Sequence, residues 1–375
     1  MLIGIVGAPN QGKSSLFNAL TMAGALVSPH PFTTIKPNEG VGYVKVKCPK
    51  PNCNPVHGYC VNSNRFVPIK LLDVAGLVTG ASKGRGLGNQ FMNDLSTADA
   101  FIITVDASGG TDSEGNPAVN YNPVDTVKMI LNEIDEWFAE VIKRQWEAVK
   151  KRTDGQTQKL LAEKLAGLGI REDHIKQSIN YINDIELFAR KLRELSKPYL
   201  IAANKIDLSN SAVNIERLKK EFKAIVKPVS ALMELTLREA DKKGFISYAP
   251  GEGDFKVLKD LSGEQSKGLD LIKSFLNNNK TTGVQDCINS AVFELLKMKV
   301  SYPVQDDNKW ADSKGNVLPD ALLLEGNATA LDLAYKVHTS IGDGFIRAID
   351  ARTKKIIGKE QVLKDSDIIK IVSKA

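Results

Sequence analysis

The stretch Leu2-Ile3-Gly4-Ile5-Val6-Gly7-Ala8-Pro9-Asn10-Gln11-Gly12-Lys13-Ser14-Ser15 decides the fold. Leu2 to Val6 is a short apolar run, the pattern of a buried strand. Gly7 to Ser14 follows at once and fits G-x-x-x-x-G-K-[ST]. The glycines let backbone N–H groups turn inward around phosphates. Lys13 supplies a point charge for the β and γ phosphates, and Ser14 a hydroxyl for magnesium. A helix over residues 14–26 brings its positive end to the same place. Strand, glycine loop and helix open a doubly wound sheet, so the expected fold class is α/β.

Further strands are expected over 41–46, 67–72, 101–105, 199–203 and 225–229. Between the third and fourth of these the pattern changes. Val127, Ile130, Leu131, Ile134, Trp137, Phe138 and Val141 recur at helical spacing. After a Gly/Thr-containing break, Ile175, Ile179, Ile182 and Leu192 continue it. Residues 123–196 therefore form a helical insertion, expected as an antiparallel hairpin. Its basic residues, among them Lys143, Arg144, Lys150, Lys151, Arg152, Arg190, Lys191 and Arg193, fit a solvated outer face or a polyanion-facing one. A helix over 284–298 closes the first domain, and 302–317 is a linker. The last stretch is strand, helix, strand, strand, over 321–324, 330–339, 345–348 and 368–372, a small β-grasp module of ubiquitin-like type.

Two more motifs sit on strand ends. Asp73-Val74-Ala75-Gly76 follows Leu71-Leu72. An Asp there can hold the magnesium shell through water, and the Gly76 N–H can sense a γ-phosphate. Asn204-Lys205-Ile206-Asp207 follows the 199–203 strand. The Asp207 carboxylate can accept the N1–H and the exocyclic amine of guanine, a donor pair adenine lacks. Asn204 would tie the loop together and the Lys205 stem would cover the base. The bland alternative is that Asp207 caps a helix. Ser230-Ala231-Leu232 fits the last base-binding loop, where a backbone amide meets guanine O6.

GAPNQGKSS, PFTTIKPNEG, DVAGL, GRGLGN and NKID, with the C-terminal module, resemble the Obg superfamily of translation-associated P-loop GTPases, and within it the YchF-related branch found in archaea. The resemblance spans nearly the whole chain. It implies a G domain over 1–122 and 197–300, the insertion over 123–196, and a linker plus a TGS domain over 301–375. Many relatives of this branch replace the NKxD motif with one that favours ATP; Asp207 is kept here, which implies GTP. The nucleotide would lie on Gly7, Ala8, Pro9, Asn10, Gln11, Gly12, Lys13, Ser14 and Ser15, with magnesium at Ser14, Thr34 and Asp73. Lys13, Thr34 and Gly76 would act on the reacting phosphate, Thr33 being the alternative to Thr34. Leu77 stands where Ras-like enzymes place the glutamine that orients the attacking water. Catalysis must then come from a backbone group, a partner or a bound ion. Asn10 suggests potassium in the place of an arginine finger, the bland alternative being that it stabilises its loop. Arg85, in the Gly84–Gly88 stretch, is a structural or partner-binding residue before it is a finger.

The resemblance also implies ribosome or RNA binding through the TGS domain. Arg347, Arg352, Lys354, Lys355 and Lys359 there suit phosphate contacts, and a protein-docking module is the alternative. Leu331, Leu333, Ala334 and Val337 are expected to face that domain's core. Cys48, Cys53, His57 and Cys60 fall close together, but C-x4-C-x3-H-x2-C is not a standard zinc knuckle. A loop of free thiols is the favoured reading and a zinc site the alternative.

The 375 residues are 42% apolar and 25% charged, with a net charge of +6. That is a soluble balance with a mild preference for polyanions. No stretch approaches the ~18 apolar residues of a membrane helix, and MLIGIVG lacks the flanks of a signal peptide. A cytoplasmic monomer is expected, with guanine nucleotide as ligand and no membrane or DNA partner. The competing classes are an ATPase of stress response and a nucleotide-dependent binding module with negligible turnover.

Overall fold

The structure, a computed structural model, describes residues 1–21, 38–81, 94–150 and 157–374. Thr33, Thr34 and the Gly84–Gly88 stretch lie outside them. The first sheet is built from β1 (Leu2–Val6), β2 (Glu39–Lys47), β3 (Tyr59–Val61), β4 (Asn64–Asp73), β5 (Ala100–Asp106), β6 (Tyr199–Asn204) and β7 (Val226–Pro228). Its order is β2-β4-β1-β5-β6-β7, with β3 on β4. β1 pairs in parallel with β4 and β5, and β5-β6-β7 continue in parallel. A central parallel strand has no solvent face, which is why β1 and β5 are apolar nearly throughout. All seven residues of β5 are buried. The loops after β1, β4, β5, β6 and β7 all leave at one edge of the sheet, where such folds bind ligands.

The insertion starts with the helix Pro123–Val149. Asn122 caps it by accepting the Val124 N–H, and Pro123 takes the first turn, where a missing N–H loses nothing. Val127, Ile130, Ile134, Phe138 and Ile142 form its buried face. The return is broken into three helices, Thr157–Leu165, Glu172–Ser178 and Ile185–Ser196. Phe188, Ala189 and Leu192 of the last one join the same core. Asp135 binds two of the basic residues, Arg193 at 2.8 Å and Arg190 at 3.3 Å. Lys150 pairs with Glu147 and Lys191 with Glu194. Much of the insertion's positive charge is therefore neutralised on its own surface.

The helix expected over 284–298 is shorter. It runs Val284–Asn289 and then widens into a π-turn over Ser290–Leu295. The second sheet has the order β11-β10-β14-β12-β13. Its strands are β10 (Lys299–Val304), β11 (Leu322–Leu324), β12 (Phe345–Asp350), β13 (Ile356–Ile357) and β14 (Asp367–Ser373). Tyr302 to Val304 thus belong to a strand flanked on both sides rather than to a linker. The helix Ala330–Val337 buries Ala330, Leu333 and Ala334, while Val337 is exposed. Val337, expected inward, is the last residue of this helix and is 38% exposed.

Among the described residues, the chain forms two compact units. One comprises 1–21, 38–40, 70–81, 94–150 and 157–287; the other comprises 41–69 and 288–374. No helix among the described residues is long and apolar enough to cross a membrane.

Candidate nucleotide site

The loop after β1 takes its shape from three constraints. Asn10 and Gly12 both have positive φ, 59° and 87°. A Cβ on Gly12 would run into the Asn204 amide, and one on Gly7 would come within 2.8 Å of the Thr104 carbonyl. The helix Lys13–Thr21 starts directly from the loop. Among the described residues nothing accepts the N–H groups of Gly12, Lys13 or Ser14. Free N–H groups at a helix start make an anion site. Lys13 Nζ lies 2.6 Å from Asp73 Oδ1, and Ser14 Oγ donates to Asp73 Oδ2 at 3.1 Å. The end of β1 and the end of β4 therefore bring the lysine, the hydroxyl and the carboxylate to one point. A hard divalent cation suits that donor set, because it prefers hydroxyl, carboxylate and water oxygens.

Gly76 is exposed and its N–H has no acceptor among the described residues. Leu77 is the opposite. It is fully buried in the main core and its N–H donates to the Gly7 carbonyl at 3.1 Å. Its side chain is closed off from solvent.

The base end is already assembled. Asn204 Nδ2 donates to the Gln11 carbonyl at 3.2 Å, and Asn204 Oδ1 accepts the Ala231 N–H at 3.1 Å. One side chain thus ties the phosphate loop to the loop after β7. Ser230 Oγ donates to Asp207 Oδ1 at 2.5 Å and also caps the helix Ala231–Lys242. Asp207 caps no helix itself, since Asn210 holds the cap position of Ser211–Glu221. One Asp207 oxygen is fixed, and the carboxylate keeps capacity for donors from a ligand. The Ala231 amide is engaged by Asn204. The Leu232 N–H has no acceptor among the described residues, and Leu232 is 62% exposed. Lys205, at φ 63°, reaches the Asn10 carbonyl at 3.0 Å and Asp106 Oδ2 at 2.7 Å.

The loop after β5 was not expected in the site. Asp106 is 1% exposed and accepts from Lys205, Thr111 and Ser108. Burial works to raise its carboxyl, yet these donors hold it below the usual carboxylate range. Gln11 Oε1 accepts the Asp106 N–H, and Gln11 Nε2 donates to the Asp112 carbonyl at 2.9 Å. Asn10 Nδ2 donates to the Gly115 carbonyl at 2.8 Å. Gly115 sits at φ 89°, and a Cβ there would come within 2.7 Å of Pro9. Asn10 therefore ties its loop to the loop after β5. The signal in the sequence is the run Asp106-Ala107-Ser108-Gly109-Gly110-Thr111-Asp112, rich in turn residues directly after a strand. Downstream of the D-x-x-G, Thr79 donates to Glu114 at 2.5 Å and the Gly80 N–H to Glu133 of the insertion at 2.6 Å.

Three family models match this chain. One described as a 50S ribosome-binding GTPase covers residues 2–205, and the G4 motif-containing domain of an Obg-like, YGR210-like GTPase covers 202–306. A TGS domain covers 314–373. Over 100% of its length the chain is 48% identical to the uncharacterized GTP-binding protein MJ1332 of Methanocaldococcus jannaschii, covering 99% of that protein. It is 28% identical to the ribosome-binding ATPase YchF of Escherichia coli O157:H7, over 98% of this chain and 97% of that one. The chain belongs to the YchF-like Obg family of GTPases. Among solved structures it is similar to a GTP-binding protein from Pyrococcus horikoshii OT3, with a TM-score of 0.79, 36% identity and full coverage of both chains. The YchF GTPase of Schizosaccharomyces pombe shares the fold, at a TM-score of 0.62 and 18% identity over 99% of this chain and 97% of that one.

Proposed function

We propose that this chain is a molecular switch that binds GTP with magnesium, hydrolyses it to GDP and phosphate, and acts on the ribosome or its RNA in the cytoplasm. The observation that carries the reading is the preassembled base pocket. Asp207 is held by Ser230, and Asn204 bridges the phosphate loop to the loop of Ala231. A carboxylate fixed at one oxygen recognises the guanine donor pair, and the Leu232 N–H is the amide available for O6.

Magnesium would be held at Ser14 and, through water, at Asp73, with Thr34 as a third ligand; it supplies positive charge to the β and γ phosphates. Lys13 would leave Asp73 for the phosphate oxygens, exchanging one anionic partner for another. The Gly76 N–H would hold a γ-phosphate oxygen. Water attacks the γ-phosphorus as its bond to the bridging oxygen breaks, and the charge that develops there is met by Lys13 and the loop N–H groups. No side chain in this reading orients the water, because Leu77 is buried. Intrinsic turnover is therefore slow and depends on a partner or ion. Potassium near Asn10 is one such ion: Asn10 is exposed, and its Oδ1 has no donor among the described residues.

We take 1–122 and 197–300 as the G domain, 123–196 as the insertion and 301–375 as the TGS domain with the segment leading into it, although 41–69 and 288–300 fall in the second compact unit. Arg347, Arg352 and Lys355 are exposed and form no ion pair among the described residues, which suits phosphate contacts. Lys354 is less available, since Asp307 binds it.

The deciding experiment compares GTP and ATP binding, with magnesium, for the wild type and Asp207→Asn. A GTP preference that the substitution removes supports the reading. Equal or tighter ATP binding in the wild type overturns it in favour of the ATPase activity that the name of the Escherichia coli relative gives.

A further inference from the structure

Cys48, Cys53 and Cys60 are close in sequence at a non-standard spacing, and they also converge in space. β2 ends at Lys47, and the Cys48 N–H donates to the Ser63 carbonyl at the tip of the β3-β4 hairpin. That tip is a two-residue turn, Asn62-Ser63, with φ of 50° and 58°, flanked by the pair Val61↔Asn64. The tight turn sets the register that puts Cys60 opposite Arg65. The three Sγ atoms lie within 4.8 Å of one another. Cys48 Sγ is 3.3 Å from that of Cys53 and 3.7 Å from that of Cys60. A tetrahedral zinc with bonds of about 2.3 Å sets its sulfurs ~3.8 Å apart. A disulfide would need about 2.05 Å and would leave the third sulfur alone.

We propose that Cys48, Cys53 and Cys60 are the three protein ligands of a structural zinc ion. A second observation points the same way. Arg65 is fully buried, and among the described residues its guanidinium meets only carbonyls: Leu318 at 3.1 Å, His57 at 2.8 Å and Pro319 at 3.1 Å. Its Nε has no partner, and no carboxylate pairs with it among the described residues. A buried cation without an anion is strongly disfavoured. Three thiolates around a divalent ion carry one net negative charge, directly across the strand pair from Arg65. Neutral thiols would leave it uncompensated. His57 is not in the ligand set, because its Nδ1 is held by Asp320 at 2.5 Å and its ring lies outside the sulfur cluster.

The ion has structural work to do there. The Val56 and His57 N–H groups donate to the Pro319 carbonyl, and Asn54 N–H to that of Val317. Those contacts lie in the loop that the three sulfurs bracket. A zinc clip would hold it in shape where it meets residues 317–319.

The test uses the full chain, purified without a metal-binding tag under reducing conditions. Elemental analysis should find one zinc per chain. Cys53→Ser and Cys60→Ser should each lose it. The metal-stripped wild type, titrated with cobalt, should show the intense visible bands of a tetrahedral thiolate site, a readout that does not depend on whether the variants fold. Wild type with neither zinc nor those cobalt bands overturns the proposal. So does zinc retained undiminished in both variants.

Discussion

The two ends of the nucleotide site are built differently. At the base end, Asn204, Ser230 and Lys205 already hold Gln11, Asp207, Ala231 and Asp106 in a closed set of hydrogen bonds. At the phosphate end, Lys13 and Asp73 hold each other, the loop N–H groups have no acceptor among the described residues, and the residue after Gly76 is buried. Preorganisation lowers the cost of binding, while catalysis needs groups aimed at the transition state. One end therefore commits to a ligand before it arrives. The other holds its charged groups on one another until a ligand arrives.

The largest effect should come from breaking the finished end. Asp207→Asn turns one acceptor oxygen into a donor facing the guanine N–H groups. GTP affinity should fall by about 100-fold, the scale of a charged hydrogen-bonding pair replaced by a mismatch. ATP affinity should hardly change. Titration calorimetry with both nucleotides reads this directly, and an unchanged GTP-to-ATP ratio would remove guanine recognition from Asp207.

The next effect sharpens the unfinished end. If Leu77 merely replaced a catalytic glutamine, Leu77→Gln should raise turnover. The structure predicts the reverse. A buried amide without partners, in place of core packing, should lower stability by roughly 2–5 kcal/mol. GTP turnover should stay flat or drop. Faster hydrolysis in a stably folded variant would show that position 77 can reach the water.

The contrast between the two ends also explains what the sequence could and could not disclose. Gly7, Gly12, Lys13 and Asp73 are spaced by the backbone itself, one strand end and one helix start, so local pattern locates them. Asn204 and Asp207 follow the same rule on β6. The loop after β5 escapes it: Gln11 meets Asp106 and Asp112, and Asn10 meets Gly115, about a hundred residues away, with no fixed spacing to mark the match. The cysteines escape it for another reason. Their convergence depends on a tight hairpin turn at Asn62-Ser63, which a ligand spacing does not encode. The end of β10 falls in the 302–317 stretch read as a linker; Pro303 fits a strand there because β11 pairs only with Lys299–Ser301, leaving that side of Pro303 without a ladder partner in β11 while β14 pairs on the other.

Exchange of cations probes the phosphate end more gently. If potassium completes the site beside Asn10, replacing it with sodium should slow GTP hydrolysis roughly tenfold, equivalent to ~1.4 kcal/mol of barrier. Asn10→Ala should remove the difference while leaving GTP bound. Equal rates in the two salts would leave Asn10 as the partner of Gly115 and nothing more.

The smallest effect concerns how the two ends report outward. The Gly80 N–H, just past the D-x-x-G, donates to Glu133 in the middle of the insertion's long helix. On the proposed reading, movement of Gly76 toward a γ-phosphate would pull on a hydrogen bond four residues on. Glu133→Ala should leave GTP affinity within about fivefold, since one peripheral hydrogen bond contributes ~1 kcal/mol or less. Hydrogen exchange should nonetheless change. In the wild type, a non-hydrolysable GTP analogue should alter protection along Pro123–Val149; in the variant, that response should vanish while residues near Lys13 still respond. A helix that answers to nucleotide equally well without Glu133 would mean that the signal leaves the site through the loop after β5, where Thr79 holds Glu114.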